Sequence, residues 1–249
     1  MSNLKAVILA AGKGTRMNSE LPKVIHKCDG QPMVHYVIKA AKDAGAMDVC
    51  VIVGYKASET KNAIYDVVDY RVQDEQLGTG HAVKCASDFI GTEGDVIVLC
   101  GDTPLIKGST LTRLVELHKK LANGVTVLSA VVDDSTGYGR IVRDEQNGFV
   151  KIVEQKDATP EEQKIKEINS GMYIFNAEAL SAALELLNNN NAAGEYYLTD
   201  TIALIKKIGL RVSAMPLSGE DVDDIMGVNT LEQLSKAEEI MKARNSAGN

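Results

Sequence analysis

Short apolar, β-branched segments alternate with helical patterns through the first half of the chain. The apolar segments are short and occupy residues 5–10, 48–53, 95–100 and 125–132. Helical patterns lie between or near them, at residues 32–44, 58–65, 80–88 and 109–121. Parallel strands that are covered on both faces are continuously apolar, and the connection between two of them is usually a helix. The alternation therefore predicts a doubly wound parallel sheet.

The pattern changes after residue 132. Residues 140–143, 150–154 and 168–175 read as strands joined by turns, and Asn147-Gly148 marks a hairpin. Helices return at 177–187 and 198–208, and a strand follows at 211–216. The last helix is predicted to open at Thr230, with Gln233 completing a capping box, and to run to about residue 243, leaving a frayed tail at 245–249.

These segments predict an α/β, Rossmann-like fold. Its sheet would be doubly wound and mixed, although mostly parallel, and a small β-rich lobe would be attached to it. We expect residues 1–229 to form one domain and residues 230–249 to form a C-terminal helix and tail. Neither an internal repeat nor a linker is visible in the sequence.

Composition excludes several classes of protein. Of 249 residues, 45% are hydrophobic and 24% are charged, which is typical of a folded globular chain. The four cysteines show no C-x-x-C spacing and the four histidines form no metal-ligand cluster, so the sequence predicts neither a disulfide framework nor a zinc site. No apolar stretch approaches the roughly 20 residues that a membrane-spanning helix needs. We therefore expect a cytoplasmic protein without a membrane partner.

Charge is distributed unevenly along the chain. The net charge of −7 argues against nucleic acid as a partner. Residues 1–27, however, contain five basic side chains and a single acidic one. An acidic protein with a basic, glycine-containing amino terminus predicts a local site for an anion.

The sequence Leu-Ala-Ala-Gly-Lys-Gly-Thr-Arg-Met follows the first predicted strand, at residues 9–17. Glycines in such a turn let backbone amides approach a phosphate closely. A Walker loop is excluded because Gly14, and not Ser or Thr, follows Lys13, and a dinucleotide fingerprint is excluded because Met17 stands where its third glycine would be. A plain structural turn remains an alternative. Arg16 and Lys23 favour phosphate binding, because a triphosphate needs several cationic donors.

This loop, followed by Leu-Pro-Lys at 21–23, resembles the sugar-1-phosphate nucleotidylyltransferases. Further motifs resemble the N-acetylglucosamine-1-phosphate uridylyltransferase (GlmU-type) domains: QDEQLGTGHA at 73–82, GYGR at 137–140, IVEQKDA at 152–158, EINSG at 167–171, GEYYLTD at 194–200 and GVN at 227–229. The likeness extends over residues 4–240, in order. It implies the nucleotide-diphospho-sugar transferase fold, whose β-rich lobe binds the sugar.

The resemblance also implies roles for individual residues. Arg16 and Lys23 match the catalytic positions that contact the nucleotide phosphates, and Gln73 and Gly78 match those that read uracil. The nucleotide-binding set comprises Leu9, Ala10, Ala11, Gly12, Gly14, Thr15, Gln73, Gln76, Gly78, Thr79 and Gly101. The sugar-binding set comprises Gly139, Glu154, Asn169, Tyr197 and Thr199.

Asp102 and Asn229 match the metal ligands of the family, and Mg²⁺ is the expected cofactor. Two hard oxygen donors together with phosphate oxygens suit this ion. Asp102 follows a predicted strand, where a carboxylate can instead close a turn or cap a helix. Asn229 could instead cap the last helix, although Thr230 already offers that role.

Two further features bear on the site. The acidic run at residues 220–224 could indicate a second metal site. A solvated turn is favoured instead, because the family has a variable loop there. Many relatives carry Tyr immediately before the Gly-Asp pair, where this chain has Cys100. The change removes an aromatic contact near the uridine pocket and affects nucleotide preference.

The resemblance implies transfer of UMP from UTP to N-acetylglucosamine 1-phosphate by in-line displacement, without a covalent intermediate. Alternatives are a related enzyme that uses another sugar or nucleotide, such as dTTP or CTP, and a non-catalytic nucleotide-sugar sensor. Bifunctional relatives continue into a β-helix built of hexapeptide repeats, and residues 1–249 contain no such repeat. We therefore expect no acetyltransferase activity and no β-helix trimer, but a monomer or weak dimer.

Overall fold

A computed structural model describes residues 3–247 of the chain. Within these residues, nine strands form one twisted sheet. Its main path has the order β11-β7-β10-β6-β1-β4-β5. These strands are, in the same order, Val212–Leu217, Val125–Val131, Glu167–Asn176, Asp95–Cys100, Leu4–Ala10, Asp48–Val53 and Asp69–Val72.

The sheet is mixed, although parallel pairs dominate. Strand β1 pairs in parallel with β4 and β6, β4 pairs in parallel with β5, and β11 pairs in parallel with β7. Strand β10 is inserted antiparallel between β6 and β7. A hairpin of β8 (Arg140–Arg143) and β9 (Phe149–Val153) branches from β10 and forms the small β-rich lobe. The predicted fold class is confirmed.

Helices cover both faces of the sheet. They are α1 (Met33–Asp43), α2 (Ala57–Ala63), α3 (Thr79–Lys84), α4 (Ser87–Ile90), α5 (Gly108–Leu121), α6 (Ala177–Glu185), α7 (Leu198–Lys207) and α8 (Leu231–Ala247). One apolar core lies between the sheet and helices α1 and α5, and a second lies between the sheet and helices α3, α6 and α7. Strand β6 contributes to both, because Ile97 and Leu99 face one core while Val96 and Val98 face the other. Burial on both faces explains why the central strands are apolar without alternation.

Several predicted boundaries differ from those in the structure. The edge strand β5 was not predicted, because its sequence Asp-Tyr-Arg-Val has no apolar run and its side chains are at least partly exposed. The two-residue strands β2 (Lys27–Cys28) and β3 (Gln31–Pro32) were also not predicted. The helix expected at 80–88 is divided into α3 and α4. The Asn147-Gly148 turn does connect β8 and β9, with Asn147 at φ 63°.

The C-terminal helix α8 continues to Ala247, beyond its predicted end at residue 243, so the tail predicted to fray is helical as far as the structure describes it. Residues 248 and 249 of that tail lie outside the described residues. The helix packs on the β2–β3 hairpin through a third apolar cluster that contains Met17, Val228, Ala237 and Met241. Among the helices of residues 3–247, none combines the length and apolar character needed to cross a membrane.

Candidate active site

The glycine-containing loop leaves β1 at the carboxyl edge of the sheet. Gly14 adopts φ 67° and precedes a single 3₁₀ turn, Thr15–Met17. Met17 is buried in the cluster beneath α8, whereas the preceding Arg16 is exposed. A second 3₁₀ turn begins at Lys23. The two turns are in close contact, because a Cβ atom on Gly14 would lie 2.5 Å from the Cβ of Lys23.

Four side chains from three distant segments of the chain meet beyond the ends of strands β1 and β6. The Nζ of Lys23 donates to the carboxylate of Asp102, and it also donates to the Oδ1 of Asn229 at 2.9 Å. A guanidinium nitrogen of Arg16 donates to the same Oδ1 at 2.9 Å. The side chains of Lys23 and Asp102 are only 16% and 18% exposed, which reduces the screening of their attraction by water.

Two backbone amides, those of Val228 and of Asn229 itself, hold Asn229 in place. The preceding amide, of Val228, donates to the carbonyl of Asp102 at 2.9 Å. The amide of Asn229 itself donates to Oε1 of Gln233 at 2.7 Å, while the amide of Gln233 donates to Oγ1 of Thr230 at 3.2 Å. The predicted capping box therefore differs at one end. The side chain of Gln233 accepts from the backbone amide of Asn229 and not from that of Thr230.

A cavity of about 380 Å³ lies beside this cluster. Its lining includes Leu9, Ala10, Ala11, Gly12, Lys23, Gln73, Gln76, Gly78, Thr79 and Asp102. Most of the predicted nucleotide-binding residues thus line one cavity. Gly14 and Gly101 do not: Gly14 contacts Lys23, and the amide of Gly101 donates to the carbonyl of Leu9 at 2.9 Å. Thr15 lines a separate depression with Lys13, Asn18, Ser19 and Glu20.

Gln73 is 3% exposed and has a fixed orientation in the cavity wall. Its Nε2 donates to the carbonyl of Gly78 at 3.0 Å and lies 3.1 Å from Nδ1 of His81. Gly78 adopts φ 110°, and a Cβ atom there would lie 2.6 Å from the carbonyl oxygen of Tyr196. Glycine is therefore required at this turn. With its amide nitrogen engaged, Gln73 retains Oε1 as the atom that can accept from a ligand.

A neighbouring cavity of about 220 Å³ contains most of the predicted sugar-binding residues. Its lining includes Leu9, Thr79, Cys100, Gly139, Glu154, Asn169, Tyr173 and Thr199. Oε1 of Glu154 accepts from the hydroxyl of Thr199 at 2.9 Å. Burial raises the pKa of Glu154 above its ordinary value, and the Thr199 hydrogen bond opposes that effect. Tyr197 does not line this cavity; it stands at the N-terminal end of α7.

The two cavities adjoin through shared residues, Leu9, Thr79 and Cys100. A third cavity of about 240 Å³, lined by Arg16, Asp102, Tyr138, Asn229 and Gln233 among others, also shares Cys100. Burial raises the pKa of the Cys100 thiol to about 12, so the thiol is neutral and is not a ready nucleophile. The residue that departs from the family pattern thus stands where all three cavities meet.

Sequence reasoning missed three residues that the structure adds to the site. Tyr138 lines the second and third cavities, Tyr173 lines the sugar-side cavity, and Gln233 holds Asn229. Tyr138 belongs to the quoted Gly-Tyr-Gly-Arg motif, which was a usable signal. Tyr173 lies two residues beyond the Glu-Ile-Asn-Ser-Gly motif, where the sequence gives no indication of its role.

The acidic run at residues 220–224 forms a 3₁₀ helix. Asp221 pairs with Lys107 and Arg113, and Asp224, which is fully buried, pairs with Lys107 and Arg244. The prediction of a solvated turn is therefore wrong for Asp224, whereas Asp221 stays partly exposed. Through their ion pairs the two residues join the 3₁₀ helix to the start of α5 and to α8. Within residues 3–247, no group of three or more His, Cys, Asp or Glu side chains could hold a metal ion.

The sequence matches the nucleotidyl transferase family over residues 5–237. It is 53% identical to the bifunctional protein GlmU of Clostridioides difficile (strain 630), over 97% of this chain and 52% of that protein. It is 51% identical to the bifunctional protein GlmU of Caldanaerobacter subterraneus subsp. tengcongensis, over 98% of this chain and 53% of that protein. The chain spans about half the length of the curated relatives that it matches.

The structure is similar to that of a putative glucose-1-phosphate thymidylyltransferase from Bacillus anthracis in complex with a sucrose. The TM-score is 0.77, the sequence identity is 23%, and the match covers 95% of this chain and 94% of the other. At this identity the likeness concerns the fold alone. It agrees with the nucleotidyltransferase fold that the sequence motifs imply.

Proposed function

The chain belongs to the nucleotidyl transferase family, and on that premise we propose that it transfers UMP from UTP to N-acetylglucosamine 1-phosphate. The products are UDP-N-acetylglucosamine and pyrophosphate. One observation carries the proposal: a cluster of charged and amide side chains lies between a nucleotide-sized cavity, lined by Lys23 and Asp102, and the third cavity, lined by Arg16 and Asn229. Both of these cavities adjoin the sugar-side cavity at Cys100.

The cationic side chains suit a polyphosphate. Lys23 lines the larger cavity and Arg16 lines the third cavity, so phosphates extended across the cluster would meet both. In the structure the two cations are paired with the oxygens of Asp102 and Asn229. Phosphate oxygens would take over these hydrogen bonds, because charge-assisted bonds to phosphate are among the strongest that Arg and Lys form.

The oxygens of Asp102 and Asn229 fit a magnesium ion. Both already converge on one positive group, the Nζ of Lys23, so the site is built to surround a cation with oxygen donors. Mg²⁺ is usually held by one or two carboxylates plus substrate phosphates, which agrees with a site of few protein ligands. When bound, it would neutralise negative charge on the phosphates. Asp102 and Asn229 would hold it.

Base selection is assigned to Gln73 and the Gly78 turn. The fixed Oε1 of Gln73 would accept from the N–H of uracil, and the backbone at Gly78 would pair with a neighbouring edge position. Gln76 lines the same cavity and would bind beside the base. A base with a hydrogen-bond acceptor at the position of the N–H would leave Gln73 unpaired and would bind less tightly.

Sugar binding is assigned to the smaller cavity. Glu154 would accept from ring hydroxyls, and Asn169 can both donate and accept. A Cβ atom at Gly139 would lie 3.3 Å from Oε2 of Glu154, so glycine keeps that carboxylate accessible. Thr199 fixes the carboxylate through its hydroxyl. Tyr197 would contribute only from the rim, because it does not line the cavity.

The reaction needs little acid–base chemistry. An oxygen of the sugar phosphate, already ionised at neutral pH, attacks the α-phosphorus of UTP; the bond from that phosphorus to the bridging oxygen breaks, and pyrophosphate leaves. The charged cluster orients the reactants and stabilises the charge that develops on the phosphates.

Pyrophosphate release tests the proposal. The protein is supplied with Mg²⁺ and UTP, or with dTTP or CTP, and with N-acetylglucosamine 1-phosphate, glucose 1-phosphate or glucosamine 1-phosphate. Fast release only with UTP and the N-acetylated sugar is the expected result. Release with another pair would keep the mechanism and change the substrate, whereas binding of UDP-N-acetylglucosamine without any turnover would indicate a sensor. A cytoplasmic location, a monomer or weak dimer, and the division at residue 229 stay predictions.

A further inference from the structure

Strand β10 contains a bulge that brings two side chains close together in one cavity. Its pairing with β7 shifts register between Asn169 and Tyr173, and the intervening Gly171 adopts φ 77°. Between these two residues β10 advances four positions and β7 only two, so β10 contains two extra residues and is compressed there. Residues four apart on a regular strand share a face but lie about 13 Å apart. The bulge shortens this distance, and Asn169 and Tyr173 both line the sugar-side cavity.

The hydrogen bonds within this bulge determine the direction of each proton. The backbone amide of Gly171 can only donate, and it donates to Oδ1 of Asn169 at 3.2 Å. The Nδ2 of Asn169 must therefore face the other way, where it donates to the phenolic oxygen of Tyr173 at 2.8 Å. An oxygen that accepts from Nδ2 cannot direct its own proton towards it. The hydroxyl proton of Tyr173 is thus left for a different acceptor.

The cavity also needs such a donor. Glu154, its charged side chain, can only accept when ionised, and Asn169 already uses one of its two amide hydrogens on Tyr173. A sugar presents acceptor oxygens as well as hydroxyl protons. The ring of Tyr173 is 2% exposed and packs against Phe175, with ring centroids 5.5 Å apart, so the hydroxyl is held in place.

We propose that Tyr173 is a substrate-binding residue whose hydroxyl donates to an acceptor oxygen of the sugar phosphate and helps to select the sugar. The inference rests on the proposed function, since it names a further contact in the cavity assigned to the sugar. Burial raises the pKa of Tyr173 well above its ordinary value, so the hydroxyl keeps its proton at neutral pH.

The variant Tyr173→Phe removes the hydroxyl and keeps the ring. We expect the KM for N-acetylglucosamine 1-phosphate to rise about tenfold, as for the loss of one hydrogen bond in a buried site, while the KM for UTP stays within twofold of wild type. Tyr65→Phe is the matched control, because it removes a phenolic hydroxyl that bonds to Gln31 at the surface. It should leave both KM values unchanged.

A comparison of two sugar phosphates identifies the substrate oxygen that accepts from the hydroxyl of Tyr173. Glucose 1-phosphate is used as a competitive inhibitor of the reaction with N-acetylglucosamine 1-phosphate. A rise in the KM for the N-acetylated sugar alone would identify the acetamide oxygen as the acceptor, and an equal rise in the inhibition constant of glucose 1-phosphate would identify a ring oxygen or hydroxyl. An unchanged KM and an unchanged inhibition constant would overturn the inference. So would a parallel rise in the KM for UTP with a lower melting temperature, which would indicate a merely structural role.

Calorimetric binding of UDP-N-acetylglucosamine and of UTP to the same variants repeats the test without turnover. Selective weakening of UDP-N-acetylglucosamine binding in Tyr173→Phe supports the inference, and equal binding of that ligand by wild type and variant contradicts it. Wild-type turnover, measured separately, tests the proposed function. The two failures are therefore distinguishable.

Discussion

Gly14 of the glycine loop packs directly against Lys23 of the charged cluster, so a change at Gly14 would displace a residue of the cluster. Replacing Gly14 with Ala places a methyl group 2.5 Å from the Cβ of Lys23, roughly 1 Å short of ordinary van der Waals contact. Because the Cβ of Lys23 is fixed by the backbone of its 3₁₀ turn, the clash cannot be relieved by a rotamer change at the end of the side chain. Either the loop or Lys23 must move.

The two effects of this substitution have different sizes. A side chain at φ 67° destabilises the fold by about 1–2 kcal/mol, which corresponds to a fall in melting temperature of roughly 2–8 °C for a chain of this length. A displacement of a positioning group by about 1 Å can reduce turnover on the order of 100-fold. We therefore expect Gly14→Ala to remain folded at 25 °C and to lose about two orders of magnitude in kcat/KM.

Gly45→Ala is the matched control. Gly45 also has a positive φ, 93°, but a Cβ atom there meets nothing within 4 Å, and the residue follows α1 away from the site. Its variant should show a similar fall in melting temperature with unchanged turnover. Thermal melts and pyrophosphate release, measured on both variants, separate backbone strain from the clash. Normal turnover in Gly14→Ala, with the same stability loss as Gly45→Ala, would refute the coupling.

Three further predictions follow from the site. Arg16→Ala should lower kcat by on the order of 10²–10³ without a change in melting temperature, because Arg16 is exposed and bonds only within the cluster; near-normal turnover would remove it from the mechanism. Gln233→Ala releases the amide of Asn229 and should raise the Mg²⁺ concentration for half-maximal turnover about tenfold, an effect absent if Gln233 only caps α8. Burial raises the pKa of Glu154, so its contribution to stability is lost as pH rises through the folded-state value. Glu154→Gln should therefore melt at or above the wild-type temperature at pH 8 while its KM for the sugar phosphate rises, and a lower melting temperature would contradict this.

The positions of the central strands could be predicted from sequence, because burial on both faces imposes a continuous apolar run. The runs at 5–10, 48–53 and 95–100 coincide with β1, β4 and β6, apart from one residue at the start of β1. Strand β5 lacked this signal, since an edge strand needs no apolar side chains on its exposed side. Its four residues are of mixed polarity, and they form a strand through parallel pairing with β4 at the edge of the sheet.

Much of the candidate site could also be predicted, although from motifs and not from physical pattern alone. The loop at 9–17, Asp102 after β6, and Gln73 after β5 all lie near the carboxyl ends of parallel strands, which is where ligands bind in open α/β sheets. The family resemblance then assigns Asn229 to the same site, because it matches the second metal ligand of the family. The sequence contains no signal that Lys23 and Arg16 would share one oxygen of Asn229.

The sequence by itself determined the layered α/β architecture, the anion-binding character of the first loop and the family. These are properties of local pattern and of residue types in order. Tertiary structure alone decided that Gln233 accepts from Asn229, that Asp224 is buried among cations, and that Tyr173 meets Asn169 across a bulge. Each of these depends on the direction of a single side chain or backbone amide. Such directions are set by packing between elements far apart in the chain, which periodicity and motif spacing do not encode.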